Sequence, residues 1–208
     1  WLCKNAVYDN DALANAEKYS FTKVDESFYD SFTAYGILLD GVGVCASYSA
    51  AYKLLADAAG LNSVVVTGYL DGSVPHAWNK VQLDNQWYVV DATNNDNDVI
   101  SNALLNLSDT EAEGTLVEDD RFVMNGSVSD YRAQETKEEY YRVTNRYFDK
   151  QQIAEKLAEN LTESGSAMLR TNYDINDEEF YQIAQDAANL SDKSVNGFYW
   201  MGVINLQE

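Results

Sequence analysis

Proline occurs once in this chain, histidine once and cysteine twice. A single proline excludes a Pro-rich linker, and 15 tyrosines within a 46% hydrophobic composition leave no tract that must stay disordered. Two cysteines allow at most one disulfide, so the fold rests on a hydrophobic core rather than on crosslinks. Basic residues are scarce: 14 Lys and Arg against 34 Asp and Glu give a formal charge of −20, which repels phosphate backbones and excludes nucleic acid as the expected partner. No apolar run approaches the ~20 residues of a membrane-crossing helix. The oxygen-rich turn Asn94-Asn95-Asp96-Asn97-Asp98 lacks the sixth-position Gly and closing Glu of an EF-hand loop, so neither a metal nor a cofactor is expected. Without an initiator Met or a signal segment, the chain reads as a mature fragment.

What the chain has is concentrated between Gly41 and Asp96: Cys45, the only histidine (His76), the only proline (Pro75) and two of four tryptophans. Gly41 and Gly43 mark a tight connection. After Cys45 the apolar positions Tyr48, Ala51, Tyr52, Leu55 and Ala59 recur at helical spacing until Gly60. Cys45 therefore opens a helix, where unpaired N–H groups and the dipole favour a thiolate. Val64 to Leu70 reads as a buried strand and Asp71-Gly72-Ser73 as a turn; His76 to Leu83 and Trp87 to Ala92 read as a hairpin around Asp84-Asn85. With that two-residue loop, opposite residues have numbers summing to 169. Trp78 then faces Asp91, His76 faces Thr93, and His76 and Asp91 are diagonal neighbours on one face. A three-residue loop would put them on opposite faces. Taken singly, each residue has a plainer reading: a small buried thiol, a strand histidine bonded to a carbonyl, a strand-end turn former. Together Cys45, His76 and Asp91 fill the roles of nucleophile, base and orienter of the base.

These motifs, Val44-Cys45 with Tyr48 and Ala51 in the following helix, His76-Ala-Trp78-Asn79 and Trp87-Tyr-Val-Val-Asp91-Ala-Thr93, resemble the transglutaminase-like superfamily of papain-type cysteine enzymes, in its bacterial branch. Tyr35-Gly-Ile-Leu-Leu-Asp40-Gly41 is similar to the family's approach to the cysteine, and the likeness covers roughly residues 1 to 110. It implies a Cys45-His76-Asp91 triad, with Tyr35 and Trp78 as substrate contacts. It further implies a cysteine-dependent acyl transfer on peptide or amide bonds through a thioester, as a protease, an amidase or a transglutaminase. The implied partner is a protein or peptide, cell-wall peptide included, in a secreted or cell-surface setting. Ala46-Ser47 departs from the Gln-Gly that bacterial members often carry after the cysteine. No glutamine lies between Tyr35 and Cys45 to join the Cys45 N–H as a second oxyanion donor. The competing expectation is a catalytically silent binding or scaffolding module with the same fold.

Around this centre, Asp11 to Lys18 reads as a helix. Phe28, Phe32, Tyr35 and Leu39 lie at helical steps, Leu104 to Leu107 reads as a strand, and Glu111 to Asp120 as a solvated acidic face. Cys3 is expected to be a free thiol, since a bridge to Cys45 would remove the nucleophile. Past Ser127 the pattern reads as a β-α-β-α-β module: strand 140–148, helix 151–161, strand 167–172, helix 177–190 and strand 197–206. The expected fold is α+β, a papain/transglutaminase-like core of helices packed on an antiparallel sheet over 1–126, with a smaller module for packing or recognition over 127–208.

Overall fold

The computed structural model describes residues 1–119, 131–172 and 175–208. The chain divides into two compact units, Trp1–Asp96 with Leu104–Thr136, and Asn97–Ala103 with Lys137–Glu208. The expected boundary at 126/127, and Asp120 at the end of the acidic run, lie outside the described residues.

The first unit opens with α1 (Leu2–Asn5), β1 (Val7–Tyr8) and α2 (Asn10–Lys18). Asp9 starts α2, its Oδ1 accepting the Ala12 N–H at 2.9 Å, and Ala12 and Ala16 face inward. The helix expected through Phe28, Phe32, Tyr35 and Leu39 does not form. In its place stand two 3-10 turns (Glu26–Phe28 and Asp30–Phe32), an extended Thr33 and a π-helical turn (Gly36–Asp40). The cause is tertiary. Ser47 Oγ accepts the Ile37 N–H at 3.1 Å and donates to the Thr33 carbonyl. Gly36 packs so closely that a Cβ there would lie 2.5 Å from the Asp30 carbonyl oxygen and 2.6 Å from that of Val42. Ile37 is buried as a result, while Tyr35 and Leu39 face solvent.

Beyond Gly41, β2 (Val42–Gly43) pairs in parallel with β1, and α3 (Cys45–Ala58) follows. Next come β3 (Ser63–Leu70), β4 (Val74–Leu83), β5 (Gln86–Val90), α4 (Ala92–Asn95), β6 (Leu105–Leu107), α5 (Asp109–Ala112) and β7 (Leu116–Glu118). Among the described residues these strands form one antiparallel sheet of order β6-β5-β4-β3-β7. The β4–β5 hairpin pairs Leu83 with Gln86 and Gln82 with Trp87, the register that a two-residue loop requires. Asp84 and Asn85 both take positive φ (47° and 63°), which sets the loop's twist to that of the strands. Strand β4 is buried from His76 to Val81. Asn79 Nδ2 donates to the carbonyls of Ser49 in α3 (3.0 Å) and Val64 in β3 (3.2 Å), tying the helix to the sheet.

The acidic run is not simply a solvated face. Glu111 closes a capping box with Ser108 at the start of α5, and Leu116–Glu118 extends the sheet as β7. The draw is Lys80, fully buried in β4, whose Nζ lies 2.7 Å from Asp109 Oδ1 and 2.6 Å from Glu118 Oε1. A buried ammonium needs such partners to offset its lost hydration.

The second unit contains α6 (Tyr140–Val143), α7 (Ile153–Ser164), β8 (Ser166–Arg170), α8 (Asp177–Ser191), β9 (Asn196–Trp200) and β10 (Val203–Gln207). Its strands pair antiparallel in the order β8-β10-β9, and Ile153, Leu157, Leu161, Leu169, Phe180 and Ile204 fill its core. Two expected strands are corrected. The first, Tyr140 to Phe148, starts instead as α6, because the buried Glu139 carboxylate accepts the N–H groups of Tyr141 (3.0 Å) and Arg142 (2.9 Å). Arg170 Nη1, 2.5 Å away, neutralises that carboxylate. The second, Gly197 to Leu206, is a hairpin broken at Met201-Gly202, both at positive φ. The order is therefore α-α-β-α-β-β within an α+β fold.

Candidate active site

Cys45 is the first residue of α3. Val44 before it is extended and has no polar side chain with which to cap the helix. The thiol is half-buried, and neither Cys45 nor Cys3 is in a disulfide.

His76 lies in β4 and is 8% exposed; its Nε2 stands 2.8 Å from Oδ2 of the fully buried Asp91. The route to this contact differs from the register argument. The β4–β5 ladder ends at Asn79 and Val90, one pair before Asp91 would have faced Trp78. There the chain turns: the Asp91 N–H donates to the Leu104 carbonyl at 3.0 Å, and Asp91 Oδ1 accepts the Asn94 N–H at 3.2 Å as the cap of α4. Leaving the ladder brings the carboxylate directly onto the ring.

The imidazole is also under the influence of the Cys45 side chain. With Nε2 engaged by Asp91, Nδ1 is the ring nitrogen left for proton exchange with the thiol. Burial, the largest single influence on His76, disfavours the charged ring. The bond to Asp91 and the nearby Cys45 outweigh it and push His76 up to about 10. Trp78 supports the ring from its own strand, with centroids 6.0 Å apart and planes at 22°. Trp78 is 1% exposed, so it backs the imidazole and offers no face to a substrate, contrary to its expected role. Tyr35, the other expected contact, is open to solvent.

Two polar residues at this centre escaped the sequence reading. Asn94, read as part of a solvated turn, places Nδ2 2.6 Å from Asp91 Oδ2 and 3.2 Å from His76 Nε2. It fixes the carboxylate that fixes the ring. Tyr8, in β1 and in register with Gly43, is placed beside the start of α3, where Cys45 acts on its hydroxyl. Burial, followed by the influence of Cys45, holds the Tyr8 phenol well above its ordinary range, so it stays protonated. Its ring stacks on Tyr48 at 6.5 Å, and Tyr48 Oη donates to Asp96 Oδ2 at 2.5 Å. The Tyr8-Asp9 pair, an aromatic beside a helix cap, was the available local signal; the pairing that aims Tyr8 is nonlocal. Among the described residues, no group of three or more His, Cys, Asp or Glu could hold a metal ion, and no helix is long and apolar enough to cross a membrane.

Residues 1–92, which include Cys45, His76 and Asp91, match the transglutaminase-like superfamily. Kyphoscoliosis peptidase of Mus musculus is 27% identical over 104 residues, covering 45% of this chain and 14% of its own length. The Homo sapiens protein of that name is 26% identical over 104 residues, with the same shares. A solved structure described as a crystal structure of a TGase is 24% identical, with a TM-score of 0.40, over 44% of this chain and 23% of that one. This chain thus spans 14% of the length of the curated relatives it matches.

Proposed function

From the premise that the chain belongs to the transglutaminase-like superfamily through residues 1–92, we propose that it is a cysteine-dependent acyl-transfer enzyme acting on amide bonds of peptides or proteins. The observation that carries this reading is the buried His76 ring held by Asp91 Oδ2 at 2.8 Å within the influence of Cys45, which opens α3. The Cys45 sulfur attacks the amide carbonyl carbon, and His76 holds the proton displaced from the thiol. His76 then gives that proton to the departing amine as the C–N bond breaks, leaving a thioester on Cys45. Water, or a second amine, attacks the thioester; His76 takes its proton, and the thiol is restored. Throughout, Asp91 holds the ring in one orientation and stabilises its positive charge, while Trp78 limits its tilt.

The test is acylation by p-nitrophenyl acetate, read as a burst of p-nitrophenol and as an added acetyl mass on Cys45. The burst should vanish in Cys45→Ser and fall by about 10²- to 10⁴-fold in His76→Ala, the range for a positioned base. A burst that survives Cys45→Ser, or wild-type protein with none, would leave a catalytically silent binding module as the reading.

A further inference from the structure

We infer that the Tyr8 hydroxyl is the second donor to the oxyanion formed at Cys45, acting beside the Cys45 backbone N–H. The inference rests on the acyl-transfer reading and supplies the donor that the sequence leaves unassigned. An oxyanion hole needs at least two preorganised donors close to the attacking sulfur. Here one is built in at the start of α3, and the segment leading into that helix holds no glutamine.

Tyr8 is placed at this point by backbone pairing. Strand β1 lies parallel to β2 with Tyr8 in register with Gly43, two residues before the thiol. The Val7 N–H donates to the Gly41 carbonyl at 2.8 Å, and the Asp9 N–H donates to that of Gly43 at 3.1 Å. Asp9 secures the far side: besides capping α2, it accepts the Ser31 hydroxyl at 2.7 Å, and the Ser31 carbonyl accepts the Val44 N–H at 2.9 Å. The Tyr8 ring is further held against Tyr48.

The register with Gly43 and the stacking on Tyr48 set the Tyr8 side chain beside the start of α3, where its hydroxyl and Cys45 influence one another. A hydroxyl at this point stands beside the place that the carbonyl oxygen of a bound acyl group must take, between the Cys45 N–H and the sulfur. When the substrate enters, its carbonyl oxygen accepts the Cys45 N–H. As Sγ bonds to the carbonyl carbon, the C=O electron pair moves onto oxygen, and negative charge builds two bonds away from the sulfur. The Tyr8 O–H donates to that oxygen. No proton leaves Tyr8, and its raised pKa keeps the O–H available throughout.

The test compares two reactions of the same thiol in full-length wild type and Tyr8→Phe. Acylation by p-nitrophenyl acetate passes through an oxyanion, whereas alkylation by iodoacetamide, an attack at CH₂, does not. In Tyr8→Phe the acylation rate should fall by about 100- to 1,000-fold, the range for removing one oxyanion donor, while alkylation changes only a few fold. Equal losses in both reactions would make Tyr8 a structural support, and an unchanged acylation rate would remove it from the reaction; either result overturns the inference. Wild type without a burst would overturn the acyl-transfer reading and this inference with it. A wild-type burst that Tyr8→Phe leaves intact would overturn this inference alone.

Discussion

Replacing Asp91 by Asn should change the charge on the chain's single histidine, and that histidine gives one unambiguous NMR signal. In the wild type His76 is pushed up to about 10 against an ordinary 6.5. That interval corresponds to roughly 5 kcal/mol in favour of the charged ring, as an upper figure, because Cys45 shares in the effect. Asparagine keeps the shape of Asp91 and can still accept the Asn94 N–H at the start of α4, so the fold should survive. What disappears is the negative partner at 2.8 Å, leaving burial as the main influence on the ring. The wild-type imidazole signal should show no titration from pH 5 to 8, whereas that of Asp91→Asn should titrate at or below about 6.5. Stability follows the same sign. A group whose folded pKa is raised contributes stability that is complete below about 6.5 and lost as pH rises through about 10. Urea midpoints of the wild type should therefore fall between those values, and the fall should be smaller in Asp91→Asn. A wild-type signal titrating near 6.5, or a mutant ring still charged at pH 8, would refute the reasoning.

Two further outcomes concern the sheet that carries the site. Removing both acids from Lys80 (Asp109→Ala with Glu118→Ala) leaves a buried ammonium alone and should cost about 3–5 kcal/mol, whereas Lys80→Met leaves two partly exposed carboxylates and should cost less than half of that; urea midpoints decide, and the reverse order would show that the ammonium is not the costly partner. Gly68→Ala puts a Cβ onto the Val117 carbonyl oxygen and 2.9 Å from the Trp78 ring, so the melting temperature should drop by the equivalent of about 3 kcal/mol. An unchanged melting temperature would mean that β7 is not held against β3 as described.

Residue scarcity and one short turn made the centre legible. The Asp84-Asn85 loop fixes the β4–β5 register, and helical spacing after Cys45 fixes the start of α3. Tyr8 was illegible because a two-residue parallel pairing with a segment 35 positions later leaves no periodic trace. The interrupted helix before Cys45 was misread because Ser47, from the following element, captures Ile37 and Thr33. In the second unit, tyrosines at 140, 141 and 147 imitate a strand, while the cap from Glu139 is a side-chain event that residue spacing does not report. The final hairpin carried a signal in Gly202, which a reading by β-propensity alone passes over.

The match to the superfamily spans residues 1–92, yet the machinery within it is completed by residues that come after. The carbonyl that receives the Asp91 N–H belongs to Leu104. The strand beside β5 is Leu105–Leu107, the strand beside β3 is Leu116–Glu118, and both carboxylates that neutralise Lys80 come from these later segments. A piece cut at 92 would have two raw sheet edges, an unbalanced internal charge and an untethered Asp91. The smallest portion able to fold by itself is therefore longer than the stretch that matches the superfamily, and substitutions between 104 and 118 can reach the thiol's proton partner without lying in that stretch.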